Sequence, residues 1–170
     1  MSYVAQYIRD VTHLLIKGGS MFSNKQIFFR LVLSVILSSM VGLERELHRR
    51  TAGLRTHILV SMGSCLIMLT SLYVFAIYKD QVALDPTRIA AGVITGIGFL
   101  GAGTIMREPT GVKGLTTAAS LWVVAAVGLA VGCGFYPAAV FSTILTLVVL
   151  MVLRSVEGKI LEKEAQKAKK

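Results

Sequence analysis

The residues with chemical capability in this chain are few and grouped. GLEREL (Gly42–Leu47) sets Glu44, Arg45 and Glu46 side by side, and AGLRTH (Ala52–His57) adds Arg55 a short way on. Carboxylates beside guanidinium groups either pair with one another at a partly dry boundary or attract cations. DPTR (Asp85–Arg88) holds a second acid–base pair, Asp85 and Arg88. Asp85 suits a helix N-cap with Pro86 at the first helical position, and it equally suits a carboxylate near an external mouth. VKGLTT (Val112–Thr117) combines Lys113 with Thr116 and Thr117, whose hydroxyls can satisfy freed backbone groups or coordinate an ion. The spacing of His13, His48 and His57 matches no zinc motif, and the two cysteines, Cys65 and Cys133, lie apart in apolar runs. Cys65 reads as a small packing residue. No nucleophile–base pair stands out, so nothing here points to an enzyme, a lipid-acting one included, or to a cofactor.

One motif points elsewhere. GVITGIGFLGAGTIM (Gly92–Met106) holds five glycines, and Gly96, Gly98 and Gly101 spell G-x-G-x-x-G. A dinucleotide site needs a strand before that motif, a helix after it and an acid about 20 residues on. Here an apolar run leads into the motif, no acid lies near Leu121, and Glu108 is too close. The glycines therefore belong to the element that contains them.

That element is set by composition. Hydrophobic residues make up 54% of the 170 and charged residues 16%, too few to coat a water-soluble globule. A membrane span takes about 20 apolar residues. Five runs qualify: Ile27 to Leu43, His57 to Tyr78, Ile89 to Met106, Leu115 to Cys133, and Pro137 to Leu153. The fold class is all-α, a polytopic membrane helix bundle. The segment 1–26 carries Val4, Tyr7, Ile8, Val11, Leu14 and Leu15 at helical spacing, an amphipathic helix lying on the membrane or covering the bundle. It lacks the features of a cleaved signal peptide. Residues 27–153 form the membrane domain, and 154–170 a basic tail suited to anionic lipid.

The net charge of +9 does not suggest nucleic acid, because the basic residues cluster between and after the apolar runs. Arg45, Arg49, Arg50, Arg55, Arg107, Lys113 and the six basic residues of the tail share one side. Arg9, Lys17, Lys25, Arg30, Lys79 and Arg88 share the other. Twelve against six makes the first side cytoplasmic, with the N-terminus outside.

Without a hydrophobic push between helices in lipid, small residues that admit close backbone approach hold a bundle together. At 100° per residue Gly92, Gly96 and Gly103 share a stripe with Phe99, while Gly98 and Gly101 lie roughly opposite. Leu121, Ala125, Gly128 and Gly132 repeat the spacing in the fourth run. The third and fourth spans are therefore expected at the centre, meeting each other or a second copy. The alternative is a third span locally unwound around a cavity.

GLERE, AGLRTH, DPTRIAAGVITGIGFLGAG and VKGLTTAASLW, in that order, resemble the MgtC/SapB family of bacterial inner-membrane proteins. The likeness covers about Phe28 to Leu153. It implies a multi-pass plasma-membrane protein linked to adaptation to low magnesium and, in pathogens, to survival inside host cells. It also implies partners that are themselves membrane proteins, the proton-driven ATP synthase among them. Longer members carry a soluble ACT-like C-terminal domain, whereas 17 residues follow Leu153 here. The family often has glutamine where this chain has Gly92. Two functions follow for a chain expected to form a homo-oligomer through its small-residue faces: a regulator that contacts partner membrane proteins, or a small magnesium transporter or channel with Asp85 outside and Glu44 inside.

Overall fold

A computed structural model describes residues 22–81, 83–109 and 111–168, with side chains described as far as residue 155. Of the amphipathic N-terminal segment 1–26, residues 1–21, His13 included, lie outside the described residues, and 24–26 already belong to the first membrane helix. Five helices account for nearly all of the described chain. They are α1 (Asn24–Leu47), α2 (Leu54–Tyr78), α3 (Arg88–Thr104), α4 (Leu115–Cys133) and α5 (Tyr136–Ala168). α1, α2, α4 and the Tyr136–Ser155 part of α5 are long and apolar enough to cross a membrane. α3 is apolar but shorter, at 17 residues. At 1.5 Å per residue it spans about 26 Å, just short of a bilayer core of about 30 Å.

Local chemistry marks the helix ends. Ser23 and Gln26 form a reciprocal capping box at the start of α1, with Gln26 N donating to Ser23 Oγ and Ser23 N to Gln26 Oε1. The amide of Leu54, at the start of α2, donates to Glu46 Oε2 at 3.0 Å. Gly114 and Gly134 bound α4 with φ of 92° and 90°, a region where a side chain would strain the backbone. The Gly134 turn delivers the chain straight into α5.

Between α3 and α4 the chain does something the apolar pattern did not announce. The third span was expected to continue to Met106, but the helix stops at Thr104. β1 (Met106–Glu108) and β2 (Gly111–Lys113) then pair antiparallel, with Arg107 opposite Val112. A hairpin this short satisfies its own backbone groups at the end of the bundle. Lys113 Nζ reaches Glu108 Oε2 across it at 2.6 Å.

α4 is the central helix and packs against the other four. Leu121, Val124, Ala125 and Val131 on it are at most 1% exposed. Its glycines act where they face α2. A methyl group on Gly132 would stand 2.7 Å from Met68 Cβ and 2.8 Å from the Cys65 carbonyl oxygen. One on Gly128 would stand 2.9 Å from both the Ser61 carbonyl carbon and Ser64 Cβ, and closer still to the Ser61 carbonyl oxygen. The two backbones therefore approach as the small-residue rule requires. Cys65 is fully buried in this seam, as a small packing residue should be.

The glycines of α3 behave differently. The helix is continuous through GIGFLGAG, so the unwound alternative is not what forms. Yet added methyl groups on Gly92, Gly96, Gly98 and Gly103 would meet nothing within 4 Å. Only at Gly101 would an added methyl group touch α4, 3.5 Å from Ala118 Cβ. The third and fourth spans, expected at the centre and meeting each other or a second copy, do meet, but within the chain α4 alone is central and the close glycine seam joins it to α2. Between α2 and α3 there remains an apolar groove of about 550 Å³, lined by Gly63, Gly92, Gly96 and large aliphatics. Phe141 and Leu145 of α5, about two-thirds exposed, face outward in the manner of lipid-facing residues.

Candidate functional site

The chemistry-bearing residues collect at the two ends of the bundle. At the α1–α2 end, Glu44 and Arg45 are both buried, with side chains 7% and 3% exposed. Arg45 Nε donates to Glu44 Oε2. His48 closes the cluster from one turn on, its Nδ1 2.6 Å from the Glu44 carbonyl oxygen and 2.9 Å from Oε1. That nitrogen aligns with the carbonyl, which leaves Oε1 inside ion-pair reach but without a hydrogen bond. Arg55 does not join this group, contrary to the reading of one Glu44–Arg45–Arg55 cluster. It is exposed and makes no ion pair among the described residues. The cause is helical phase: Arg55 sits two positions from His57, on the other side of α2 from the face that meets α4.

Glu46 points to the start of α2 and caps it, as described above. Thr117 is buried, and Thr51 Oγ1 donates to its Oγ1 at 3.4 Å. Thr116 and Lys113 are exposed. Thr116, Thr117 and Lys113 do come together, in a cavity shared with the α1–α2 loop.

His57 is the residue that sequence spacing missed. It is fully buried, with Nδ1 2.8 Å from the Gly53 carbonyl oxygen and Nε2 3.0 Å from Ser120 Oγ. Nδ1 faces a carbonyl and must donate to it, and Nε2 lies within hydrogen-bond distance of the serine hydroxyl. Ser120 Oγ donates to the Thr117 carbonyl oxygen at 2.8 Å. The pairing spans 63 positions, so only the apolar surroundings of a lone histidine hinted at it.

At the opposite end Asp85 and Arg88 are both exposed. Asp85 is not the N-cap: Thr87 occupies that position and α3 begins at Arg88. Asp85 instead folds the turn in front of the helix, accepting from Thr87 N at 2.8 Å and Thr87 Oγ1 at 2.7 Å. These bonds, the hydroxyl first, hold its carboxyl below the usual carboxylate range. Ser71 of α2 donates to the Pro86 carbonyl and ties the turn to the bundle. Asp85 and Arg88 share a cavity of about 310 Å³ with Ser71 and Phe75. Arg30 latches the same end, its Nη1 donating to the Gly132 carbonyl at 2.6 Å and its Nε to Tyr136 Oη at 3.1 Å. Its guanidinium also lies 4.5 Å from the Phe22 ring centroid.

Between these ends the interior is narrow and nearly uncharged. Buried hydroxyls at Ser34, Ser38, Ser64 and Thr143 donate to carbonyls of their own helices. Ser61 Oγ, pressed beside Gly128, has no hydrogen-bond partner. Among the described residues no three His, Cys, Asp or Glu side chains gather in a way that could hold a metal ion.

Comparison with known proteins gives this arrangement a family. No solved structure matches the chain. The MgtC family model matches residues 31–159. The chain is 44% identical over 140 residues to an Escherichia coli K12 protein named "Putative magnesium transporter YhiD", covering 81% of this chain and 65% of that one. It is 37% identical over 145 residues to Protein SapB of Bacillus subtilis, 83% of this chain and 62% of that one. Protein MgtC of Salmonella typhimurium LT2 is 41% identical over 130 residues, 76% and 53% respectively. The chain thus spans less than two thirds of the length of these relatives. A multi-pass helix bundle with a buried ion pair at one end, matched by this family model along three quarters of its length, belongs to the MgtC family.

Proposed function

We propose that this protein sits in the bacterial inner membrane and serves adaptation to low magnesium or a related stress by contacting other membrane proteins, without itself conducting the ion. It is not an enzyme on this reading. The observation that carries the proposal is the separation of charge. Glu44 lies at one end and Asp85 at the other, and α2 and α4 close against each other between them through Gly128 and Gly132. Magnesium sheds its waters reluctantly and takes carboxylate oxygens where it does. The buried serine hydroxyls between the two ends, bonded to backbone except at Ser61, offer little in exchange. The exposed apolar faces of α3 and α5 are the surfaces open to partners, an ATP synthase among the possible classes and a second copy of this chain among the others.

The test is flux. Purified protein in liposomes should show no magnesium uptake above empty vesicles, while the same protein restores growth at low magnesium. Replacement of the outward-facing Phe141 and Leu145 should lower that growth protection with the fold intact. Saturable magnesium uptake abolished by Asp85→Ala would establish the alternative, a transporter. That reading draws on the cavity around Asp85 and on the printed name of the E. coli relative.

Orientation is part of the proposal. With twelve basic residues on one side and six on the other, a reporter fused after Lys170 should report the cytoplasm and one fused at Asp80 the exterior. The reverse result would invert every assignment of inside and outside made here.

A further inference from the structure

The cavity beneath the hairpin has a chemistry that the proposed function does not use. It measures about 440 Å³, within the ~300–1,000 Å³ usual for small-ligand sites. Arg49, Arg50 and Thr51 of the α1–α2 loop line one side, and Lys113, Thr116 and Thr117 line the other. Three cations thus face one concavity from two segments far apart in sequence. Glu108 offsets Lys113 at 2.6 Å, but neither Arg49 nor Arg50 pairs with an acid among the described residues. Like charges gathered in this way repel unless an anion sits between them. The first turn of α4 adds to the positive field, since it carries no acidic residue and no side chain caps it. The loop is held in place: Thr51 reaches Thr117 at 3.4 Å, and Arg49 takes a φ of 50°, unusual for a residue with a side chain.

We infer that this cavity binds a phosphate group. Arginine forks match phosphate oxygens in pairs, a lysine adds a point charge, and threonine hydroxyls donate to the remaining oxygens. Carboxylates offer two oxygens, too few for three cations and two hydroxyls arriving from both sides. Two sources supply the same chemistry at this position. One is free phosphate. The other is the headgroup of an anionic phospholipid, for which the exposed Met106 and Leu115 at the cavity wall provide an apolar border.

The experiment uses the full chain in a neutral detergent. The probes are inorganic phosphate and a short-chain phosphatidylglycerol, with sodium chloride at matched ionic strength and a short-chain phosphatidylcholine as controls. Binding is read by calorimetry. The wild type should bind at least one probe over its control, and Arg50→Gln with Lys113→Gln should weaken that binding about tenfold or more, as loss of charge-assisted bonds does. Arg107→Gln removes an exposed cation of the same hairpin that does not line the cavity, and should leave binding unchanged. Binding of phosphatidylglycerol alone names the lipid as source; binding of inorganic phosphate names the free ion. A second measurement needs no variant: the bound probe should slow acylation of Lys113 while Lys79, at the opposite end, reacts as before. Absence of binding to both probes, equal weakening by Arg107→Gln, or an unprotected Lys113 would each overturn the site.

Discussion

Gly128→Leu should unfold the bundle in detergent, whereas Gly96→Leu should leave it folded. The two positions look alike in sequence, each the second or first glycine of a G-x-x-x-G pair in an apolar helix. Their surroundings are opposite. Even a methyl group at Gly128 meets the Ser61 carbonyl and Ser64 Cβ, backbone and near-backbone atoms that cannot rotate away. Overpacking a filled core costs about 1–3 kcal/mol, and more where the backbone itself must shift. Leucine at Gly128 pries α2 from α4, the seam on which the remaining helices pack, so the expected loss is above about 3 kcal/mol. At Gly96 nothing stands within 4 Å, and leucine even favours helix over glycine by about 1 kcal/mol. Thermal midpoints of the purified variants decide the matter. If Gly96→Leu proves as damaging to the monomer fold as Gly128→Leu, the assignment of the tight seam to α2–α4 is wrong. Gly96→Leu has its own expected effect, since it fills the open α3 groove: any oligomer built on that face should dissociate while the helix content stays constant.

The second large effect belongs to the ion pair. Glu44→Ala leaves Arg45 buried, 3% exposed, without its carboxylate. Breaking a buried pair by removing one partner costs about 3–5 kcal/mol, because the surviving charge keeps its desolvation penalty and loses its compensation. Replacing both, as Glu44→Ala with Arg45→Met, should restore most of that loss, since neither a charge nor an unmet polar group remains. Measured unfolding free energies for the two single variants and the double one close the cycle. A Glu44→Ala variant as stable as the wild type would mean that Arg45 is compensated elsewhere. Growth at low magnesium separates structure from function. If the stable double variant still protects cells, the pair is a structural clamp on the α1–α2 loop; if protection is lost with stability restored, the charges take part in function.

Much of the architecture was legible before any tertiary contact. Span positions follow from hydropathy, because lipid forces every backbone group into internal bonds over a fixed thickness. Helix ends at Ser23, Gly114 and Gly134 are likewise local, since capping and positive φ depend on a few neighbouring residues. The hairpin at Met106–Lys113 escaped that reading. It contains an apolar residue at each strand, and its three-residue strands are too short for a period-2 pattern to show. Asp85 was correctly placed at a helix start but one turn element too far in, because the same residue type serves an N-cap and the turn before it.

The order of motifs GLERE, AGLRTH, DPTRIAAG and VKGLTTAASLW determined by itself that this is a membrane bundle of the MgtC family, and hydropathy determined where its helices run. Which small residues are buried was decided by tertiary structure. A helical stripe says that residues share a face, and it cannot say which helix, if any, arrives at that face. Gly128 met α2 and Gly96 met no one for that reason. Long-range pairs are subject to the same limit: Arg30 with Gly132 spans 102 positions, His57 with Ser120 spans 63, and Thr51 with Thr117 spans 66. Burial gives those pairs their energy, because in a dry interior an unmet polar group is costly and a met one fixes the geometry. Burial exists only once the helices have packed.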